Sequence, residues 1–513
     1  MAHPQTSEYE TAVVIGAGVA GLAASIRLAS AGIQVTLLER HAHLGGKIRT
    51  TNSQAGPVDA GPTVLTMRHV FDDLFACAGA RLEDHVDLIP QSILARHFWP
   101  DGSQLDLFAD QDQSLEAVRA FAGPKAETQF ARFNQRTAKL FDAFDVPMMQ
   151  ASDPSLGGLV RHVMANPGLI AQMAPLSTLS GLLRGAFSDP RLRQLFGRYS
   201  TYVGGAPHLS PGVLALIWHA EASGVWVVKG GMHKLAQAMG DLAERMGVDI
   251  RTNTHVDRIE TQSGAVSAVV LDTGARLICD HVIAAGDPRA LPTGALGPAV
   301  QNIAPQTTKA KRSFSARVHS FAAIPFGVDL AHHNVFFASE AQSEFRDLVA
   351  GRIPSNPTLY ICAEDRGLPT TPPQLERFEM IANAPATDQH TQPEDLDIWH
   401  LSIMTQLRQF GLTFTPTPDT TTITTPQTFA GMFPASQGAL YGQSPHGLMA
   451  AFQRPTARTA IKGLYLSGGG AHPGAGVPMA TLSARHAVAA ILSARTLTST
   501  SAQTAMHGGM STV

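Results

Sequence analysis

The segment TAVVIGAGVAGLAASIRLASAGIQVTLLER, residues 11–40, decides the fold of this chain of 513 residues. Thr11 to Ile15 are apolar and β-branched and end at a glycine, which predicts a short buried strand. Leu22 to Ala31 show helical periodicity, and Ile33 to Leu38 form a second apolar run, so a helix and another strand are expected. The segment therefore predicts a βαβ unit of an α/β fold.

The glycines of this unit have the spacing of a dinucleotide-binding loop. Gly16 permits the tight turn, Gly18 lets the backbone approach a pyrophosphate, and Gly21 permits close packing of helix on strand. The free N–H groups at the start of the helix suit the phosphates. Glu39, at the end of the second strand, suits the ribose hydroxyls and disfavours a 2′-phosphate, because two negative charges would meet. This unit alone leaves NAD and FAD open.

Composition excludes several other classes of protein. The net charge of −3 and the pI near 6.7 give no sign of nucleic-acid binding. Cys77, Cys279 and Cys362 are widely spaced, so we expect buried or inert thiols in a reduced, cytoplasmic protein. The adjacent His332 and His333 lack the spacing of metal ligands, and we expect no metal site.

Two stretches free of Asp, Glu, Lys and Arg, residues 162–183 and 199–220, raise the question of membrane spans. Each contains two prolines and several polar residues, so neither is the uniform apolar run that spanning requires. The first ten residues lack the layout of a signal peptide. We therefore expect a protein that does not span the membrane.

A second strand–turn–helix signature lies near the other end of the chain. Gly463 to Ser467 predict a strand, a glycine-rich turn begins with Gly468 and Gly469, and Pro478 to Ile491 predict a helix. A chain that returns to its first strand with a second glycine turn is typical of a fold that encloses one extended cofactor. FAD is an extended cofactor of this kind.

The residues after the first motif resemble the FAD-dependent amine oxidase and carotenoid desaturase superfamily. Gly45-Gly46-Lys47 is similar to its glycine-glycine-basic segment, and Lys47 stands where arginine is commoner. The resemblance implies that Gly46 and Lys47 lie near the cofactor phosphates, where an ammonium can act as a point charge. Asp59-Ala60-Gly61-Pro62-Thr63 resembles the next flavin-proximal turn. Val256 begins a segment similar to the strand that meets the adenine; an ordinary strand is the alternative.

The C-terminal signature resembles that of the bacterial phytoene-desaturase-type carotenoid oxidoreductases. In that family a leucine-tyrosine strand, a glycine and His-Pro-Gly precede a later proline, which glycine commonly follows. Here Met479 follows it, and its side chain should narrow the space next to the flavin ring. The runs 233–236 and 363–366 look most like those of the 1-hydroxycarotenoid 3,4-desaturases, the hydroxyneurosporene or methoxyneurosporene dehydrogenases.

The resemblance covers nearly the whole chain and implies a discontinuous, Rossmann-like FAD-binding domain with an inserted α+β substrate domain. Six pieces are expected: cofactor-binding parts at 1–110, 224–286 and 456–494, a helical part facing substrate and membrane at 111–223, a substrate domain at 287–455, and a tail at 495–513. The tail is rich in Ser and Thr and is expected to be disordered.

The function that the resemblance implies is desaturation of an acyclic, 1-hydroxylated carotenoid at C3–C4, in carotenoid biosynthesis of the spheroidene or spirilloxanthin type. Oxidised flavin accepts a hydride, so such chemistry requires no metal. Because carotenoids are dissolved in the bilayer, we expect a cytoplasmic protein docked peripherally on the inner membrane, with helices near 155–185 at a tunnel entrance. Core packing is the alternative for those helices. The electron acceptor, a quinone or oxygen, stays open.

His472 is the titratable side chain of the C-terminal turn and the candidate for proton handling. The alternative is a histidine that orders the loop through hydrogen bonds, so no catalytic side chain is assigned.

Three further functions stay open. The first is a phytoene or neurosporene desaturase of the same family. The second is a flavin amine or protoporphyrinogen oxidase, although such enzymes usually carry an acidic residue where Gly469 stands. The third is a non-catalytic, lipid-carrying relative of the Rab GDP-dissociation inhibitors. The intact glycines and Glu39 argue against this third function, because a lipid carrier needs no flavin cradle.

Overall fold

The architecture comes from a computed structural model, which describes residues 10–154, 156–166, 168–173, 177–388, 393–447 and 449–507. The side chains of residues 156, 159, 170, 171, 393, 394 and 451, and those after Arg495, also lie outside the description.

The strands are β1 Thr11–Ile15, β2 Gln34–Leu38, β3 Thr50–Ser53, β4 Gly56–Asp59, β5 Leu88–Pro90, β6 Ile93–Phe98, β7 Gln104–Phe108, β8 Trp226–Val228, β9 Asp249–Arg251, β10 Val256–Gln262, β11 Ala265–Leu271, β12 Arg276–Ile278, β13 His281–Ala284, β14 Ser315–Phe326, β15 His333–Phe336, β16 Leu359–Ala363, β17 Glu376–Ala384, β18 Thr413–Thr415, β19 Ile423–Thr424 and β20 Leu464–Leu466. The α-helices are α1 Val19–Ser30, α2 His69–Cys77, α3 Gln111–Ala122, α4 Pro124–Phe144, α5 Leu156–Ala165, α6 Gly168–Met173, α7 Leu179–Ala186, α8 Pro190–Gly197, α9 Leu216–Ala222, α10 His233–Arg245, α11 Gln306–Lys309, α12 Ala341–Val349, α13 Pro393–Gln409, α14 Pro426–Met432 and α15 Val477–His507.

A parallel sheet of five strands, in the order β20-β13-β1-β2-β9, carries both glycine turns. β1 lies at its centre, where Val14 pairs with Ile283 on one side and Leu37 on the other. α1 packs against α10 and α15, and a buried apolar cluster joins these helices to the sheet. The antiparallel strands β10–β12 contribute to a second cluster that includes Val13 and Val282 of the sheet. The predicted Rossmann-like, α/β fold class is therefore confirmed.

The second sheet has eight strands, seven of them in the order β18-β14-β17-β16-β15-β6-β7, with β19 paired to β14. α13 contributes Trp399, Ile403 and Leu407 to the apolar cluster of this sheet. β6 and β7 fall inside residues 1–110, which we assigned to the cofactor part, yet β6 pairs in parallel with β15. Their apolar alternation predicts strands but does not say which sheet they join.

The helical part between the two sheets has an aromatic core. Phe130 of α4, Phe196 of α8 and Trp218 of α9 are fully buried, and their rings lie 5.4–6.0 Å apart. Such ring pairs add to the free energy of folding beyond their buried area. This core fixes α9 and the segment that follows α8, which carry side chains of the second cavity described below.

The membrane-span expectation concerned residues 162–183 and 199–220, which form short helices and turns in the described part. A different stretch, Val477–Arg495 of α15, is long and apolar enough to cross a membrane. Its most apolar window is 56% buried, and α15 packs on α1, so it serves as a core helix. The predicted tail, residues 495–513, overlaps the end of α15 and otherwise lies outside the described residues.

Candidate active site

A cleft of about 410 Å³ runs along the ends of β1, β2 and β13. Most of the residues predicted to bind the cofactor line it: Gly16, Gly18, Glu39, Gly46, Lys47, Val256, Gly468 and Gly469. The turn after β1, the end of β2 and the turn after β20 lie at one edge of the parallel sheet. Gly46, Lys47 and Val256 come from neighbouring segments outside that sheet. That edge is where open α/β sheets bind ligands.

The two N-terminal glycine loops contact each other directly. The Gly45 N–H donates to the Ala17 carbonyl at 2.9 Å, and Gly18 and Gly45 form an isolated β-bridge. Gly16 has φ +99°, a conformation that side chains disfavour. Gly18 is the N-cap of α1, so the free N–H groups of the first helical turn face the cleft beside this pair of loops.

Glu39 fixes the first loop from the end of β2. Its Oε2 accepts from the Ala17 N–H at 2.8 Å and its Oε1 from the His41 N–H at 2.9 Å. Each carboxylate oxygen has a second lone pair, so the side chain retains capacity for two more donors at the cleft. This arrangement is compatible with the expected acceptor of ribose hydroxyls.

Lys47 places a half-buried ammonium in the cleft. Its Nζ donates to the Leu440 carbonyl and lies over the Phe433 ring, 5.4 Å from the centroid. Among the described residues no carboxylate forms an ion pair with it, and burial lowers its pKa to about 8. The nearest acidic influence, Asp287, is paired with Arg312, and a partly desolvated cation without an ion-pair partner of its own is unfavourable. The site therefore suits an anionic group such as a phosphate.

The C-terminal turn is held by side chains that the sequence alone did not single out. The Gly468 N–H donates to Ser483 Oγ of α15 at 2.7 Å. Arg454 Nη1 donates to the Gly469 carbonyl at 2.7 Å, and its Nη2 donates to the carbonyls of Tyr441 and Gln443. A single buried guanidinium therefore joins this turn to the segment before it.

Three expected cofactor residues, Asp59, Met479 and Gly21, do not line the cleft. Asp59 accepts from the Met232 N–H at 2.6 Å, and its own N–H donates to Glu364 Oε1 at 2.6 Å, so it ties the turn to its neighbours. Burial raises the pKa of Asp59 and of Glu364. Met479 lines the second cavity instead of the cofactor cleft. Gly21 supports the cleft from below by packing on Gly16.

The second cavity, of about 700 Å³, adjoins the cleft. The two share a set of wall residues: Pro62, Ile381, Tyr441, Ala475, Gly476 and Val477. The rest of the second wall is mainly apolar, with several methionines from α5, α6 and the segment 145–149. A cofactor in the cleft would thus meet, at this junction, a ligand held in an apolar cavity.

His472 lines the second cavity close to the junction. Its Nε2 lies 2.8 Å from the Ala151 carbonyl, and its ring stacks on His486. Burial lowers the pKa of His472, so the imidazole is neutral at pH 7. A neutral ring that donates to a carbonyl fits the alternative of a loop-ordering histidine.

One wall of the second cavity is polar. Tyr360 Oη lies 2.7 Å from both Thr63 Oγ1 and His333 Nδ1. Beside it, Tyr202 donates to Glu221 at 2.7 Å and accepts from Arg198 at 3.2 Å. The sequence contained a signal for this group that we missed, because Arg198 and Glu221 are the charges that flank the uncharged stretch 199–220.

The cysteines and histidines differ from expectation in two places. Cys77 is exposed, because it occupies the outer face of the last turn of α2. Cys362 comes from β16 and meets His332 and His333 in a buried group whose ligating atoms lie within 4.8 Å of one another. The spacing of the two histidines could not predict this group, because its third member arrives from the paired strand. The Cys362 Sγ lies 3.3 Å from His332 Nε2.

Comparisons with known proteins agree with this arrangement. A family model described as flavin containing amine oxidoreductase matches residues 19–492. The chain is 53% identical over 480 residues to hydroxyneurosporene desaturase of Cereibacter sphaeroides, covering 94% of this chain and 97% of that protein. The protein of the same name from Rubrivivax gelatinosus is 40% identical, with 98% and 96% covered. A 4,4′-diapolycopene oxygenase of Methylomonas is 29% identical, with 93% and 97% covered.

Solved structures share the fold at low identity. Putrescine oxidase bound to putrescine superimposes with a TM-score of 0.60 at 15% identity, covering 94% of this chain and 99% of that one. A fatty acid isomerase from P. acnes gives a TM-score of 0.56 at 13% identity, with 94% and 98% covered.

Proposed function

The chain belongs to the flavin-containing amine oxidoreductase family, and we propose that it is the member that desaturates an acyclic 1-hydroxycarotenoid at C3–C4. It is a flavin-dependent oxidoreductase. Relatives called hydroxyneurosporene desaturase, 40–53% identical over nearly the full chain, support the carotenoid substrate and a place in spheroidene-type carotenoid biosynthesis. The finer choice of a hydroxylated substrate and of the C3–C4 bond is part of the proposal.

One observation carries the proposal: the apolar second cavity joins the cofactor cleft at six shared wall residues. Desaturation removes a hydride and a proton from two adjacent carbons that themselves carry no polar group. The enzyme must therefore hold an apolar chain against the cofactor and exclude water. The two joined cavities can do both.

The cofactor we propose is FAD. The residues fit it, because the cleft combines a pair of contacting glycine loops, a helix N-terminus, a carboxylate with free lone pairs and a half-buried ammonium that has no ion-pair partner among the described residues. Gly16, Gly18 and Gly46 would face the pyrophosphate, Glu39 the ribose and Lys47 a phosphate. Oxidised flavin, when bound, supplies the hydride acceptor. The turn at Gly468 and Gly469, anchored by Arg454, would shape the wall near its ring.

The cavity lining also argues against an amine as the substrate. Among the described residues that line it, Glu221 is the carboxylate, and both of its oxygens accept from tyrosine hydroxyls. An ammonium group would find no free counter-charge there. An apolar polyene meets no such difficulty. The same cavity is also compatible with phytoene or neurosporene as the substrate. Supplying each carotenoid to the protein distinguishes these cases.

We further propose that the protein docks on the cytoplasmic face of the inner membrane. Val160 and Met164 of α5 line the cavity and are also exposed, at 52% and 71%. They therefore stand at its mouth, and the exposed Met449 and Val146 lie on neighbouring segments. The exposed Arg161 lies between the two α5 residues in sequence and would favour anionic lipid. Leu159 and Ile170, also expected at this entrance, lie outside the described side chains.

The test is to supply vesicles containing neurosporene, 1-hydroxyneurosporene or phytoene to the purified protein and to analyse the products. We expect 1-hydroxyneurosporene to gain one conjugated double bond, which shifts its absorption to longer wavelength. Conversion of phytoene alone would assign the protein to the other desaturase class. If flavin-containing protein converts none of these carotenoids, the proposed function is wrong.

A further inference from the structure

We propose that Arg198 is the specificity-determining residue that binds the oxygen on C1 of the carotenoid. This inference rests on the proposed function and names the part of the site that recognises the oxygenated end of the substrate. The polar wall around Arg198 faces a cavity that is otherwise mainly apolar. Its ligand should therefore be a long apolar chain with one polar end.

The guanidinium of Arg198 is buried and has fewer partners than it can bind. The side chain is 8% exposed, and among the described residues its one hydrogen bond runs from Nη2 to Tyr202 Oη at 3.2 Å. Its Nε is buried without a partner. A guanidinium has five N–H donors, and leaving such donors unsatisfied in the interior is unfavourable. The cavity is where a further acceptor can come from.

The neighbouring carboxylate does not satisfy Arg198. Glu221 is 2% exposed, and its two oxygens accept from the Tyr199 and Tyr202 hydroxyls at 2.7 Å each. The guanidinium instead lies over the rings of Tyr199 and Tyr202, 5.6 and 5.1 Å from their centroids. The tyrosines thus separate the two charges and hold Arg198 in position at the cavity wall.

The Tyr360 hydroxyl is already paired. It lies 2.7 Å from both Thr63 Oγ1 and His333 Nδ1, which uses its donor and an acceptor. Among the described residues, Arg198 is the positively charged group of this wall, and most of its donors are unused. Because arginine only donates, it can bind the oxygen of an alcohol or of a methyl ether equally well. Arginine forms no hydrogen bond with a hydrocarbon end group.

The position of the wall agrees with the bond that reacts. In a 1-hydroxycarotenoid the oxygen-bearing C1 is two bonds from C3, so the oxygen must bind close to the cofactor. Thr63 directly follows Pro62, which lines both cavities. Tyr360 links Thr63 to the wall, and Tyr202 lines the same cavity. The polar wall thus includes a residue adjacent in sequence to the junction.

The test compares kcat/KM on 1-hydroxyneurosporene, 1-methoxyneurosporene and neurosporene in vesicles. The wild-type protein should favour both oxygenated substrates over neurosporene, by roughly 10- to 100-fold. Arg198→Met should reduce that ratio to near one, mainly by slowing the oxygenated substrates. Arg193→Met, on the same helical segment but outside the cavity lining, should keep the wild-type ratio.

Two conservative variants keep the test decisive if Arg198→Met fails to retain flavin. Arg198→Lys retains the positive charge but has fewer N–H donors. It should therefore retain part of the preference for the oxygenated substrates. Tyr202→Phe removes the hydroxyl that positions the guanidinium and should lower the ratio several-fold. An unchanged ratio in either flavin-loaded variant overturns the inference, as does a wild-type protein that desaturates all three substrates equally. A wild-type protein that desaturates none rejects the proposed function instead.

Discussion

Gly21 lies directly against the carbonyl oxygen of Gly16: a Cβ added at Gly21 would come within 1.9 Å of that oxygen. Gly21 is in the first turn of α1, and Gly16 is in the turn after β1. This contact sets the distance between helix and strand, and with it the position of the helix N–H groups at the cofactor cleft. The first prediction follows from it.

Gly21→Ala should separate α1 from β1 and weaken flavin binding. We expect a loss of stability of about 1–3 kcal/mol, because the methyl group overpacks a close-packed contact, together with loss of most of the bound flavin. Gly185→Ala is the matched control, because a Cβ there meets nothing within 4 Å and alanine is favoured in a helix such as α7. The measurements are flavin-to-protein ratio and thermal unfolding. Full flavin content in Gly21→Ala would contradict the assignment of this loop.

Lys47 should make flavin binding pH-dependent. In the flavin-free protein, burial lowers its pKa to about 8, and a bound phosphate would raise it again. Binding above pH 8 then requires uptake of a proton, so affinity should fall by up to about tenfold per pH unit above 8. Lys47→Gln should bind flavin more weakly and lose this dependence. Both expectations are checked by titrating the flavin-free protein with FAD at several pH values between 7 and 10. Affinities that change with pH in the same way for wild type and Lys47→Gln would reject this role of Lys47.

The same pKa has a consequence for the stability of the flavin-free protein. Because the folded pKa lies below the unfolded value of 10.5, the unfolded chain binds more protons between pH 8 and 10.5. The Lys47 contribution to stability should therefore rise with pH across that window. Urea unfolding of wild type and Lys47→Gln at several pH values measures this difference.

His472→Ala should leave turnover within a few-fold of wild type. The imidazole is neutral and its Nε2 pairs with the Ala151 carbonyl, so its loss should lower stability by about 1 kcal/mol. Single-turnover rates of wild type and His472→Ala, measured at equal flavin content, test this expectation. A drop of about 100-fold or more at full flavin content would restore the proton-handling role.

Removal of the apolar side chains at the mouth should release the protein from membranes. Val160→Asp with Met164→Asp places two charges at exposed positions of α5, where they would oppose insertion into lipid. Flotation with vesicles that contain anionic lipid should recover wild type in the top fraction and the double variant at the bottom. Ile278→Asp is the control, since Ile278 is 76% exposed on β12, away from the cavity lining. Equal flotation of all three would contradict docking through this mouth.

The sequence predicted the cofactor half of the molecule best, because its signals are local. Strand β1 has the predicted bounds, and β2 begins one residue after the expected start. The turns of the antiparallel meander β10–β12 coincide with Ser263-Gly264 and Asp272-Thr273-Gly274. Glycine punctuation and apolar runs suffice for such elements.

The remaining features depend on partners that are distant in the sequence. β6 and β7 join the second sheet through β15, and no local pattern specifies that choice. Asp59 faces Met232 and Glu364 instead of the cleft, because the turn that carries it packs on β8–α10 and β16–β17 segments. Arg198 and Glu221 come from two short helical segments, and the hydroxyls of Tyr199 and Tyr202 join these segments through hydrogen bonds.

The most direct test mixes the purified, flavin-containing protein with vesicles of 1-hydroxyneurosporene under anaerobic conditions and records flavin and carotenoid absorption together. We expect the flavin absorption to bleach as the carotenoid bands move to longer wavelength, with one double bond formed per flavin reduced. Flavin that stays oxidised while the carotenoid remains unchanged would contradict the account.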